Sequence, residues 1–304
     1  MNKAIPNHHY RLKGISMVII SCALWGISGS MVQYLIQHYG FQTNWLVTIR
    51  LLISGVVLLC FSSFTDTTHS IWTVWKNKSD RLPLILYSIF GMLAVQYTFF
   101  KAIETSNIAS AALLQYLGPV FITVYLAIRL QRMPNKYEMI ALILALFGTF
   151  FLITSGKIDK LNIPFEGFIW GISSAVFLAF YTIYPKKLIQ RWGTTQVNGW
   201  AMLIGGIILS FIAPPWQLPE NTSFDSISLL IFIILFGTAI PFSLYTRSIL
   251  YIKPNETSIL ASSEPLTAAI ISVIWLHVPF GIFEWVGSFC IILAAIILGS
   301  KVKS

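Results

Sequence analysis

Glu264 stands beside Pro265 in the stretch Ala261-Ser262-Ser263-Glu264-Pro265-Leu266-Thr267-Ala268, inside an apolar run from Ile259 to Leu276. On a helix starting near Asn255, its carboxylate comes about 14 Å along the axis, close to the middle of a ~30 Å hydrocarbon layer. A charge there costs at least ~2.5 kcal/mol, so it must face the interior of a helix bundle or water. Three roles are open for it: a cation or proton site, a partner for a substrate amine, or a tie to a Ser, Tyr or Arg on a neighbouring helix. Helical spacing gives it polar company, because Thr257, Leu260, Glu264, Thr267 and Ile271 share one face.

Other chemistry-bearing residues lie at comparable depth. Gln115 and Tyr116 precede Gly118-Pro119 in another apolar run, and their polar groups need partners in a low-dielectric interior. Trp170, Ser173 or Ser174, Phe177, Tyr181 and Tyr184 follow i+3/i+4 spacing, as do Trp25, Ser28 and Val32. An aromatic wall with a few hydroxyls suits a mid-sized, partly apolar ligand and offers cation–π contacts to an amine. The same pattern serves packing or an interfacial belt, and Tyr184, near a segment end, fits the belt. The candidate binding set is therefore Trp25, Tyr97, Gln115, Tyr116, Tyr181 and Glu264, with Tyr245 a weaker companion. Pro119 and Pro265 each remove a backbone donor and are expected to kink their helices as hinges. Arg50 comes about 12 Å into its segment; it either receives a carboxylate or pairs with Glu104, and the pairing role is the simpler.

The elements that must carry these residues follow from composition. Of 304 residues, 56% are hydrophobic and 10% charged, against roughly 25% charged in soluble domains. Ten apolar segments of membrane-spanning length are expected, at 14–37, 42–63, 83–103, 107–128, 137–155, 166–188, 196–213, 227–250, 256–276 and 283–300. The first is too long for a signal-peptide core and lacks an A-x-A site. The chain therefore reads as an all-α integral membrane protein. The net charge of +9 sits in short clusters between segments, a pattern of membrane orientation and not of nucleic-acid binding. Sixteen of the twenty Lys and Arg fall on the side of the N-terminus, in clusters such as Lys76, Lys78, Arg81 and Lys186, Lys187, Arg191. The opposite side has only Lys157 and Lys160, which places both termini in the cytoplasm of a multi-pass cell-membrane protein. Cys22, Cys60 and Cys290 all lie in apolar runs and are expected to be packing residues, with no disulfide or metal site.

The third to fifth segments overlay the eighth to tenth at one constant offset, Gly91 falling on Gly237, Lys101 on Arg247, Pro119 on Pro265 and Glu138 on Glu284, while the first two of each half need shifted offsets. A five-segment unit is thus duplicated, residues 1–156 and 157–304, and an odd count makes the second copy inverted. Inverted repeats allow a central site to open alternately to either side. Glu264 falls on Gly118, so its charge has no counterpart.

The chain resembles the EamA branch of the drug/metabolite transporter superfamily. The resemblance rests on Leu24-Trp25-Gly26, Ile49-Arg50-Leu51, the run Ala111 to Pro119, and Glu264-Pro265-Leu266-Thr267-Ala268-Ala269. It implies ten spans in two five-span repeats, and transport, commonly export, of amino acids, amines, related metabolites or drugs. Where family members often carry a Gly-Glu pair before spans five and ten, this chain has Leu130-Gln131 and Leu276-His277. The expected partners are a small-molecule substrate, the lipid bilayer and a coupling proton, with a monomer or homodimer as assembly and no cofactor. The absence of a Walker A sequence argues against direct use of ATP. A passive uniporter or channel of the same fold is the alternative. An intramembrane lipid-modifying enzyme would need His, Asp, Glu or Cys clustered at one depth, and the five His show no such spacing.

Overall fold

The computed structural model describes residues 8–65, 70–131, 133–156, 163–248, 251–252, 260–261 and 263–301. Of the residues named above, Asn255, Thr257, Ile259, Ser262, Lys157 and Lys160 lie outside that set. The described residues form helices and no strand. In order these are α1 (His8–Tyr39), α2 (Thr43–Thr65), α3 (Thr73–Lys76), α4 (Lys78–Leu86), α5 (Ala94–Thr105), α6 (Ile108–Gln115), α7 (Gly118–Arg129) and α8 (Lys136–Thr154). There follow α9 (Phe165–Ile183), α10 (Lys186–Trp192), α11 (Thr194–Ser210), α12 (Phe224–Ile234), α13 (Ile240–Ser248), α14 (Ser263–Ile274) and α15 (Ile282–Lys301). Wider π-turns join α4 to α5 over Tyr87–Leu93 and α12 to α13 over Leu235–Ala239.

Among the described residues, five helical stretches are long and apolar enough to cross a membrane: Arg11–Tyr39, Thr43–Thr65, Lys78–Thr105, Ile108–Arg129 and Phe165–Ile183. Their outer faces carry apolar side chains such as Ile53, Val56 and Ile128, and so do Leu146 and Phe147 on α8. Such a surface is stable only against lipid. Lipid offers no hydrogen bonds, so helix starts must supply their own. Asn107 accepts from Ser110 N, and Asn135 with Glu138 forms a reciprocal capping box.

The two prolines do something other than bend a continuous rod. The helix carrying Pro119 breaks at Tyr116 and Leu117, and α7 starts afresh at Gly118. Pro265 likewise sits in the first turn of α14. The missing N–H costs nothing at that position, because first-turn donors have no partner within the helix. Both prolines therefore start half-helices. The cysteine expectation also needs correction: Cys22 is buried, whereas Cys60 on α2 is exposed on the apolar face.

Packing depends on small residues, since apolar side chains gain little by leaving lipid for one another. Helix α2 lies against α11, and a Cβ at Gly55 would meet Leu203 N at 2.6 Å. Helix α8 lies against α15, with Gly148 and Gly287 each approaching the other's carbonyl; a Cβ on either would come within 2.7 Å of it. Helix α1 meets α13 and α14, and Gly26 sits against Ala268 N. Helix α9 meets α5, α6 and α7. Beside Glu264, α14 buries the small residues Pro265, Ala268, Ala269 and Ser272.

Gly55→Ala puts a methyl against backbone that cannot rotate away. We expect a loss of ~1–3 kcal/mol of stability, read as a lower midpoint in thermal unfolding of the purified protein in detergent.

Candidate functional site

The two half-helices start at one cavity. It has a volume of about 760 Å³, and Gly118 and Pro119 at the start of α7 face it together with Glu264 and Pro265 at the start of α14. A helix start concentrates unpaired N–H groups and the positive end of the helix dipole, so two of them make the middle of the bundle receptive to negative charge. Trp25 and Ser28 of α1, Arg50 of α2, and Gly237 and Thr238 of the second π-turn complete the centre. Along α7 the lining continues through Ile122 and Leu126 to Tyr137 and Glu138, in the first turn of α8. The cavity thus reaches the end of the bundle where α7 passes to α8.

Away from the lining, further contacts tie α1 to its neighbours. Ile108 N donates to Gln33 Oε1 at 2.8 Å, fixing α6 to α1. The Tyr34 ring stacks on His38 and on Trp275, at 4.2 and 5.2 Å between centroids. None of these residues faces the cavity.

Of the sequence-derived set, Trp25, Gln115, Tyr116, Tyr181, Glu264, Pro119 and Pro265 converge on this space. Tyr97 stands apart, and its ring packs edge-on against Trp170 at 5.9 Å. Trp170 itself donates from Nε1 to Glu166, outside the lining, and Tyr184 stacks on Phe180. Gln115 has a helix partner as well as a cavity face, donating from Nε2 to Ser174 Oγ at 2.6 Å. Tyr181 belongs to a chain of polar groups: Tyr87 OH donates to Asn198 Oδ1 at 2.6 Å, and Asn198 Nδ2 reaches Tyr181 OH at 3.5 Å.

Arg50 was expected to pair with Glu104, and it does not. Glu104 takes Lys101 one turn away on its own helix, at 2.5 Å. Arg50 points across the bundle, donating from Nε to Thr238 Oγ1 at 3.0 Å and from Nη2 to Gly237 O at 3.1 Å. Its guanidinium carbon also lies 5.1 Å from the centre of the Phe100 ring. Arg50 and Glu264 face the same cavity. Among the described residues no hydrogen bond reaches the Glu264 carboxylate. Tyr245 closes the aromatic side, its ring 5.4 Å from that of Trp25.

Residues that sequence reasoning left out include Gln96, Thr123 and Thr238, all on the lining. Gln96 could have been found as a midspan amide beside Tyr97. Thr238 had no sequence signal, because its role depends on an arginine 188 positions away. Among the described residues, no three His, Cys, Asp or Glu gather closely enough to hold a metal ion.

Comparison with known proteins gives the family and the fold. The chain matches the EamA-like transporter family twice, over residues 12–154 and 165–300. It is 36% identical to the uncharacterized inner membrane transporter YicL of Salmonella typhimurium, over 94% of this chain and 95% of that protein. It is 24% identical to the threonine/homoserine exporter RhtA of Escherichia coli, over 86% of this chain and 83% of the exporter. A protein of known crystal structure shares the fold, with a TM-score of 0.64 at 15% identity, over 97% of this chain and 99% of that one.

The Tyr87–Asn198 bond is wholly buried. Tyr87→Phe should cost ~1–3 kcal/mol by leaving Asn198 Oδ1 without a donor. Tyr181→Phe, which removes only the long contact, should cost less, and thermal unfolding of the two variants side by side checks the order.

Proposed function

The chain belongs to the EamA-like transporter family, and from that premise we propose that it is a secondary transporter working by alternating access. It moves a small metabolite, such as an amino acid, an amine or a related drug-like compound, out across the cytoplasmic membrane. The observation that carries this reading is the cavity at the meeting of the two half-helix starts, lined by Trp25, Gln115, Tyr116, Tyr181 and Glu264. Interrupted helices that meet a midplane site are a recurring device of secondary transporters, and prolines at the interruptions let the flanking halves tilt. Export is the direction stated in the name of RhtA.

Alternating access further calls for ten spans in two inverted five-helix repeats, residues 1–156 and 157–304. Several features support that. The π-turns hold Gly91 and Gly237, residues at matched places in the two halves. Gln131 and His277, also matched, both take left-handed φ, at 48° and 53°. The contacts pair off in the same sense, α2 with α11 and α8 with α15, while α1 meets α13 and α14 as α9 meets α5 and α6. A two-fold exchange of halves would produce that pattern. In this reading both termini are cytoplasmic, the cavity opens inward, and Glu264 carries the coupling proton.

Two measurements bear on it. In proteoliposomes an outwardly or inwardly directed pH gradient should drive transport by the wild type, and Glu264→Gln should lower the driven rate by roughly tenfold or more, the scale of a typical coupling free energy. Transport that ignores the gradient and proceeds normally in Glu264→Gln removes proton coupling. A fluorescent protein fused after Ser304 should fluoresce and an alkaline phosphatase there should stay inactive; the reverse would overturn the orientation.

A further inference from the structure

Helices α1 and α14 run side by side in one direction, with Gly26 against Ala268 N and, further along both, the Tyr34 ring stacked on Trp275. Trp25 and Glu264 face the cavity just before the first of these contacts. The stack therefore lies about 14 Å beyond Trp25 along α1. Ile108, at the start of α6, meets Gly29 and Gln33 near that same end of α1. From there α6 and α7 run the opposite way, to the end of the bundle where α7 passes to α8. Helix α9 follows their course, with Gly167 against Ser106, Gly171 against Leu114 and Leu178 against Gly118. Past Leu178, Thr182 of α9 and Ile122 and Leu126 of α7 line the cavity, so these two helices flank open space where α1 and α14 stay in contact.

The sequence relates the two places. Leu35-Ile36-Gln37-His38-Tyr39-Gly40, at the end of α1, falls on Leu188-Ile189-Gln190-Arg191-Trp192-Gly193. Both closing glycines take left-handed φ, at 65° and 78°. At that register Tyr34 falls on Lys187. Trp275 falls on Arg129, each standing just before one of the matched left-handed residues His277 and Gln131. A pair of stacked rings at one end thus corresponds to two exposed cations at the other, with Lys186 adding a third charge. Arg129 turns back on its own helix, donating from Nη1 to Tyr125 OH at 3.2 Å. Nearby acids have other partners: Glu138 accepts from Asn135 N, and Asp80 accepts from Arg191 Nη1 and Trp192 Nε1 at 2.8 and 2.9 Å. Helix α1 is unbroken, whereas the matching stretch breaks at Tyr184–Pro185 between α9 and α10, which gives the arm carrying Lys187 a bend point.

We propose that the two ends of this carrier are gated by unlike chemistry, an attractive stack of Tyr34 on Trp275 at one end and a repelling pair, Arg129 and Lys187, at the other, so that the molecule rests with the α7–α8 end open. This rests on the alternating-access reading: exchange of the halves brings Arg129 and Lys187 together as Tyr34 and Trp275 are now. Stacked rings are attracted through dispersion and their quadrupoles, and contact removes apolar surface from water. Two cations brought to the same separation repel, and more strongly as water leaves the space between them. Closing the α7–α8 end and opening the other therefore gives up attraction at one gate and adds repulsion at the second. Cargo binding has to offset both. Repulsion between exposed charges is screened by salt, whereas ring stacking is not, so the resting balance depends on ionic strength.

The test reads the gate separation in the full-length protein, with Cys22, Cys60 and Cys290 replaced, in nanodiscs of phosphatidylcholine, which carries no net charge. Spin labels on Leu130→Cys and Gln190→Cys, both exposed and close in sequence to the two cations, report their distance by double electron–electron resonance. The labelled parent should favour the longer of two distances. Arg129→Glu and Lys187→Glu should each raise the ratio of short to long by ~3-fold or more, because each turns a repulsion into an ion pair. Both side chains are exposed, so neither change disturbs the core. The double reversal restores like charges and should return the ratio to within ~2-fold of the parent, a pattern that a purely structural role would not give. Raising salt from about 0.05 to 0.5 M should raise the ratio in the parent and lower it in each single reversal. Trp275→Ala, which removes the stack at the other end, should raise the ratio with no change of charge. A ratio unmoved by the single reversals or by Trp275→Ala overturns the proposal, as does a double reversal that closes the gate as far as the singles do. In those cases two distances in the parent would still leave alternating access in place. A single fixed distance in the parent and in every variant would count against both.

Discussion

Arg50 places a guanidinium inside a largely apolar bundle, and its bonds to Thr238 Oγ1 and Gly237 O decide where α2 meets the second π-turn. A charge at that depth survives only with fixed partners or a polar cavity, and here it has both. The π-turn supplies the partners: a backbone that widens for one turn directs a carbonyl sideways, away from its own helix axis. Gly237 lets Ser28 close in from α1 on the same point. Three segments far apart in sequence are thereby pinned at one depth, and the cavity is the space left between that pin and the start of α14.

The half-helices make the arrangement workable in lipid. An unsatisfied peptide group in hydrocarbon costs several kcal/mol, so a broken helix is stable only where the break borders polar space. The break at Tyr116–Leu117 and the start of α14 both border the cavity. Proline at the new first turn forfeits no internal bond. Glycine contacts between α2 and α11, and between α8 and α15, form tight seams that frame this looser centre. The molecule thus combines close-packed helix pairs with helix starts that border the cavity.

Much of this was legible in the sequence because membrane physics leaves few choices. Apolar length dictated the helices, and the cost of a buried carboxylate singled out Glu264. Matched prolines pointed to paired interruptions, although a proline cannot by itself tell a kink from a fresh start; that depends on whether the preceding residues keep their helical bonds. The partner of Arg50 was not legible, since Thr238 and Gly237 are brought to it only by packing. Tyr97 shows the limit of spacing arguments: its neighbour Gln96 faces the cavity, and one step around the helix turns the ring toward Trp170.

Everything functional in this account depends on the central cavity being exposed to one side of the membrane at a time. The direct measurement is thiol labelling of Thr182→Cys, a lining residue, after replacing Cys22, Cys60 and Cys290. A membrane-impermeant reagent is applied from each face in turn, with the protein locked by substrate gradients of opposite direction. Alternating access requires labelling from the cytoplasmic face in one condition and its loss, with protection from that face, in the other. Labelling from both faces at once, in the same condition, would mean a continuous pore and contradict it.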